Sequence, residues 1–223
     1  MPTARAIGPE ELLDLLRRRG PELAKDFFRP ETDLLNLIKV AVMGNTFRAF
    51  HNLQRRPSEI FREWAAARFT PETVAALPRI RSQADFDTAH QRFTNDLATY
   101  WGDQGKKPIG VGPAFKLPAL LFKSVARWSQ LPANRRDQLI QFLPVPLDSY
   151  SLLALKECAA SGRHGTAFHI PNNATMAFID SADLYAQVQG LAREVAKEAG
   201  VPAVYVDFVA WDDAHSKTPL APK

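Results

Sequence analysis

The stretch GVGPAFKLPALLFKSVARW, residues 110–128, opens on two glycines and runs into a segment whose polar members are Lys116, Lys123, Ser124 and Arg127. At 3.6 residues per turn, positions 116, 120, 123 and 127 share one face and read Lys, Leu, Lys, Arg, while Leu117, Leu121 and Val125 point elsewhere. On a half-buried helix the plain reading of that face is a solvated basic stripe. The glycines suggest a second reading. Gly110-Val111-Gly112 forms a turn whose missing side chains let the first N–H groups of the next helix approach a phosphate. Pro118 places the start of the helix proper near that residue, so Lys116 falls close to a helix N-terminus.

Working outward, Pro144-Val145-Pro146-Leu147-Asp148-Ser149 breaks the helical pattern and sets a carboxylate at the start of the next helix, YSLLALKECAA. An amine can serve as a nucleophile when such a carboxylate is near enough to manage protons. Ser149 and Ser151 read as capping groups beside Asp148 rather than as nucleophiles.

The remainder is also helical in period. Pro9 with Glu10 and Glu11 opens a helix carrying Leu12, Leu13, Leu15 and Leu16, and Arg17 to Arg19 with Gly20 close it. Asp33 caps a longer one, LLNLIKVAVMGNTFRAFHNL, with Gly44 as a break. Ser58 precedes EIFREWAAARF, and Thr70-Pro71 opens a segment after which Phe86, Phe93, Leu97 and Tyr100 recur at helical spacing. Four helices are expected before residue 110. After it, Asn134 caps RRDQLIQFL. SADLYAQVQGLAREVAKEAG carries a Leu184, Val188, Leu191, Val195 stripe between a Ser181 cap and a Gly200 stop. VPAVYVDFVAW has the β-branched content of a strand but no visible partner strand, which leaves strand and helix open. The fold class is mostly α: a single helical domain over residues 1–223, with room for two lobes around the hairpin near 108–118.

Composition bounds the function. The chain has 223 residues, 46% of them apolar, enough for a core. One cysteine, Cys158, excludes an intrachain disulfide and a thiolate metal cluster and favours a reducing, cytoplasmic setting. No apolar run nears the roughly 20 residues of a membrane helix, and the N-terminal residues do not read as a signal peptide. Net charge is +4, compatible with a polyanionic partner. His164 and His169 lack further ligands and read as loop residues. Arg17 to Arg19 and Arg55-Arg56 read as solvated helix-end charges with phosphate contact as the alternative, and Trp64, Trp101 and Trp128 read as core.

Taken together, the Gly-Val-Gly turn, the following lysines and the later helix-starting aspartate resemble the helix-hairpin-helix superfamily of DNA glycosylases. The likeness is greatest to the archaeal 8-oxoguanine DNA glycosylase branch, which has two lysines seven apart after the hairpin, then Pro-x-Pro-x-Asp, then a late Asp-x-x-x-Trp. Here these read Lys116 and Lys123, Pro144 to Asp148, and Asp207-Phe208-Val209-Ala210-Trp211. FREWAAARF resembles an aromatic-rich early helix of that branch. The resemblance implies a two-lobed helical glycosylase fold, DNA as partner, a monomer, and neither metal nor cofactor. It implies Lys116 as nucleophile, with Lys123 as fallback, and Asp148 as catalytic carboxylate. Lys123, Asp207 and Trp211 would line the base pocket, and Gly110 and Gly112 would meet phosphate. Two departures stand out. GVGPAFK is two residues longer than the superfamily's Gly-Val-Gly-x-Lys, and LLNLIKVAVMG holds no counterpart of the branch's base-reading glutamine. The expected activity is base excision with an AP-lyase step, on 8-oxoguanine in repair or on a bulky modified base of viral DNA in phage defence. The alternatives are a non-catalytic helix-hairpin-helix DNA-binding protein and a helical interaction protein.

Overall fold

The computed structural model describes residues 6–44, 46–163 and 168–215. In chain order its α-helices are α1 (Pro9–Arg18), α2 (Gly20–Phe27), α3 (Leu34–Val40), α4 (Pro57–Arg68), α5 (Pro71–Ala76), α6 (Gln83–Gly105), α7 (Val111–Val125), α8 (Ala133–Phe142), α9 (Ser149–Ser161), α10 (Ala182–Ala199) and α11 (Tyr205–His215). The fold is all-α, with no strand among the described residues beyond an isolated parallel bridge between Glu31 and Trp128. No helix among them is long and apolar enough to cross a membrane. The chain divides into two compact units, Phe28–Pro146 and Met1–Phe27 with Leu147–Lys223.

In the first of these, α7 packs along the long helix α6 and against α3. Phe122 of α7 meets Phe69, Phe86 and Phe93 edge-on, with ring centroids 5.2, 5.1 and 5.5 Å apart, the geometry aromatic quadrupoles favour. Trp64, Trp101 and Trp128 are buried, as expected. Ser124 Oγ donates to the Leu37 carbonyl at 2.8 Å and so ties α7 to α3. Expected caps at Asp33 and Thr70 are present. Ser58 and Asn134 are not caps. Pro57 opens α4 and α8 starts directly after Pro132, because a preset proline φ fixes each entry one residue or more earlier. The long helix expected from residue 34 stops at Val40, and a short 3-10 turn follows at Thr46–Ala49; β-branched Val40 and Val42 and then Gly44 lower local helix propensity.

In the second unit, α1 buries Leu12, Leu13, Leu15 and Leu16 and packs against α2, α9, α10 and α11. Among the described residues six α-helices precede residue 110 rather than four. Gly20 does not end this region but opens the unanticipated α2. A Cβ there would lie 3.0 Å from the Tyr205 ring, so glycine is what lets α2 approach α11. Phe27 and Phe208 close the same contact at 5.0 Å. VPAVYVDFVAW yields a helix, α11; with no strand beside it, its backbone groups are satisfied along the chain. On α10 the Ser181 cap and the Gly200 stop are present, the latter at φ +74°. Val188, Leu191 and Val195 are buried as expected, while Tyr185 rather than Leu184 completes the stripe.

Asp96 on α6 accepts from Trp64 Nε1 at 2.7 Å and Arg68 Nε at 2.8 Å. The Arg68 hydrogen bond, helped by that of Trp64, holds its carboxyl below the usual aspartate range. Asp96→Ala leaves the fully buried Trp64 indole N–H without its acceptor and is expected to cost about 1–3 kcal/mol by urea unfolding. Asp96→Asn keeps an acceptor and costs less. Because the folded-state pKa is depressed, the charge-dependent gap between parent and Asp96→Asn is fully present above pH about 4 and closes as pH falls through the lowered value.

Candidate functional site

The α6–α7 connection is residues 106–110. Lys106 ends α6 in the left-handed region at φ +54°, and Gly110 is the N-cap of α7 at φ −66°, ψ 157°, accepting from Ala114 N at 3.0 Å. That φ suits any residue, and a Cβ on Gly110 would meet only the Pro113 ring, Cδ at 3.6 Å and Cγ at 3.8 Å, both ordinary contacts. Neither the backbone nor the chain's own packing therefore requires glycine here. Gly110 is exposed, but Gly112, the other glycine expected to meet phosphate, is buried in the first turn of α7, Pro113 has no N–H and the Ala114 amide is taken by the Gly110 carbonyl. Lys106, Lys107, Pro108 and Gly110 are exposed, so the connection itself presents two amines to solvent. Sequence reasoning passed over Lys106 and Lys107, although the pair sits directly before the turn it singled out.

Helix α7 begins at Val111 and runs through Pro118, not from it. Pro113 falls in the first turn, where its missing N–H would have had no intrahelical partner, and that permits the earlier start. Lys116 consequently lies in the second turn, away from the helix terminus. The expected solvated stripe is absent: Lys116 is 7% exposed and Lys123 8%, with Leu120 and Arg127 half-buried beside them. Nor is the helix half-buried, since Leu117, Leu121 and Val125 are buried too. Neither lysine lacks interaction partners.

In the other unit, Asp148 is the N-cap of α9. Its Oδ1 accepts from Tyr150 N at 3.0 Å and Ser151 N at 3.1 Å, and Ser151 Oγ accepts from Asp148 N at 2.8 Å. This reciprocal box fixes the carboxylate at the positive end of α9, half-buried, and makes Ser151 the capping group it was expected to be; Ser149 is the exposed first residue of the helix. Asp207 stands half-buried in the first turn of α11, with Trp211 one turn on. Trp211 is 53% exposed, which removes it from the core. Its indole stacks on His215 at 4.1 Å with 21° between planes, and His215 in turn meets Tyr150 edge-on at 5.1 Å. The stack thus links the turn that follows Asp148 to the helix bearing Asp207 and Trp211. His215 was legible as the residue four after Trp211 on one helix face. Tyr150 carried no signal of its own.

Other candidates acquire plain roles. Arg18 pairs with Asp14, Arg19 with Asp212 at 3.0 Å, and Arg17 donates to the Glu198 carbonyl at 3.1 Å. Arg55 pairs with Glu63 at 2.5 Å and Arg56 with Glu59 at 3.6 Å. Burial pushes the Cys158 thiol up to about 11, so it stays protonated and is no nucleophile. His169 is exposed, His164 lies outside the described residues, and no group of three metal-ligating side chains occurs among the described residues.

No family model, no curated protein and no solved structure matches the chain.

The exposure of Trp211 makes a quantitative statement about stability. Trp211→Ala is expected to lose about 0.5–1.5 kcal/mol from the aromatic contact and only part of the burial energy of a core tryptophan. Trp64→Ala, at 0% exposure, should lose about 3–5 kcal/mol. Equal losses in parallel melting experiments would return Trp211 to the core.

Proposed function

We propose that this protein is a DNA glycosylase of helix-hairpin-helix type with an associated AP-lyase step. The observation that carries the reading is the burial of Lys116 and Lys123 on α7, directly after an exposed connection that bears Lys106, Lys107 and Gly110. Taking an amine out of water is costly, and an apolar residue would fill either position on this helix at less cost. A solvated stripe needs no such expense, whereas a nucleophilic amine does need a dry, shaped surrounding.

In this reading the exposed connection before α7, with Lys106, Lys107 and Gly110, holds the phosphate backbone while the target nucleotide is rotated out of the stack, at roughly a few kcal/mol. The Lys116 Nζ lone pair attacks the deoxyribose C1′ as the C1′–N bond breaks and its electron pair leaves with the base, which takes up a proton. The new C1′–N bond is to the lysine, and the ammonium so formed gives its proton to Asp148. Before that transfer the carboxylate stabilises positive charge developing on the sugar. The lone pair on the lysine nitrogen then expels O4′, which takes the proton back from Asp148, and the iminium so formed loses a C2′ proton to the same carboxylate as the C3′–O bond breaks, releasing the 3′ phosphate and nicking the strand. Trp211 offers its exposed face to the base and Asp207 a carboxylate to its edge, while a pocket role for Lys123 is what the resemblance implies.

The resemblance implies 8-oxoguanine as substrate. The absence of a glutamine from residues 34–44 also fits a reshaped pocket for a bulky modified base such as a hypermodified cytosine of viral DNA. A panel of modified duplexes, assayed for released base and for borohydride-trapped protein–DNA adduct, separates these substrates from each other. It also separates them from a non-catalytic DNA-binding protein, which gives salt-dependent binding and no adduct. Lys116→Gln is expected to abolish both excision and trapping with duplex affinity retained. Asp148→Asn keeps the helix cap and is expected to lower turnover by about two to four orders of magnitude while binding DNA as well as or better than the parent. Trapping that survives Lys116→Gln and disappears in Lys123→Gln would move the nucleophile to Lys123. Trapping by both would remove the mechanism.

A further inference from the structure

His90 is one of the few polar side chains buried on α6, at 3% exposure, and it has had no part so far. Its Nε2 lies 3.2 Å from the carbonyl oxygen of Phe115 on α7. A carbonyl only accepts, so Nε2 carries the proton and donates. The imidazole is hemmed by aromatic rings: Phe86 nearly parallel at 6.2 Å, Phe115 at 5.8 Å and Phe122 at 5.9 Å. The hydrogen bond thus ties α6 to α7 from within an aromatic surround, buried away from competing water.

The acceptor's place in the helix gives that restraint its meaning. Pro118 stands inside α7 and has no N–H, so the Ala114 carbonyl, four residues earlier, receives no amide from it, and the proline ring crowds that carbonyl. The helical ladder is weakest at the turn formed by residues 114–118. Phe115 and Lys116 are in that turn, and the Phe115 carbonyl adjoins the Lys116 amide. A helix loosened there by proline swings the Lys116 side chain unless something outside the ladder holds the turn.

We infer that His90 is a positioning residue for Lys116: by donating to the Phe115 carbonyl from α6, it fixes the proline-weakened turn of α7 and thereby the direction in which the Lys116 amine is presented. This rests on the glycosylase reading for its functional consequence, but not for the positioning itself. Glutamine places its Nε2 at a similar distance from the backbone and can replace the donor. Phenylalanine keeps a ring among the rings but cannot donate.

Two measurements on the full chain separate the inference from the reading beneath it. Reductive methylation with formaldehyde and borohydride, followed by peptide mass spectrometry, reads the accessibility of the Lys116 amine with no DNA present. His90→Phe is expected to raise the Lys116 methylation rate on the order of tenfold, and His90→Gln to stay near the parent. On the duplex that traps best, single-turnover trapping is expected to fall on the order of tenfold to a hundredfold in His90→Phe at unchanged duplex affinity, and to be largely rescued in His90→Gln. Pro118→Ala restores the missing amide, so the double variant with His90→Phe should lose less than His90→Phe alone; this coupling still reports if His90→Phe by itself melts too low to assay. Methylation at the parental rate in His90→Phe, or equal failure of the Phe and Gln variants at parental melting temperature, overturns the inference. A methylation shift in a protein whose parent traps on no duplex leaves His90 holding Lys116 and removes the glycosylase reading instead.

Discussion

Helix α7 is buried around nearly its whole circumference, and every polar group it carries has to be answered by the residues around it. Its own ladder answers most of the backbone, but Pro113 and Pro118 each remove a donor and the side chains of Lys116, Lys123 and Ser124 add polar atoms to an apolar interior. Pro113 costs little because first-turn amides have no intrahelical acceptor. Ser124 is answered by the Leu37 carbonyl, and the turn weakened by Pro118 receives a donor from His90. The helices around α7 are arranged by these demands as much as by its apolar side chains. Phe122 explains why the aromatic cluster of α4 and α6 gathers where it does, since it contacts Phe69, Phe86 and Phe93 together.

The other unit solves a simpler problem with local means. Asp148, Ser151 and the first amides of α9 form a closed set of hydrogen bonds within four residues, so the carboxylate is oriented by the chain that carries it. Such a cap survives changes elsewhere in the fold. The Trp211–His215–Tyr150 stack depends instead on two helices packing, α9 and α11, while Gly20 beside Tyr205 and Arg19 paired with Asp212 tie α11 to the start of the chain. A carboxylate fixed locally and an indole fixed through tertiary contacts therefore respond differently to core substitutions in this unit.

That distinction also governs what the sequence could reveal. Asp33, Thr70, Asp148, Ser181 and Gly200 were legible because a cap is a bargain among residues within one turn of each other. Pro118 was misread as a helix start because a proline inside a helix is tolerated only when surrounding elements hold the helix, and those elements lie far off in sequence. The same holds for VPAVYVDFVAW, whose β-branched residues favour a strand until the absence of any partner strand decides for α11. Burial of Lys116 and Lys123 was beyond reach for the same reason. Periodicity assigned them one face correctly, but whether a face meets water or protein is decided by helices whose packing the pattern does not encode. Trp211 shows the converse, an apolar residue on a periodic segment that the fold leaves exposed.

Energetics gives the buried lysines their weight. A methylene stem is at home in an apolar interior, and only the terminal amine resists being there. Leucine or methionine at position 116 or 123 would retain most of the packing and discard the polar atom, and exchanges of that kind are commonly neutral or stabilising when a buried charge is replaced by well-packed apolar volume. Helix α7 supplies apolar residues at the adjoining positions, Leu117 and Phe122 among them, so nothing in its local pattern resists a further one. Stability alone therefore does not require either amine, and it does not require a proline in the same helix. That all three occur within eight residues, with a buried histidine bonded to the turn that holds Lys116 and Pro118, places the departures from optimal stability together in one short segment. A fold concentrates such departures where the geometry they create is used.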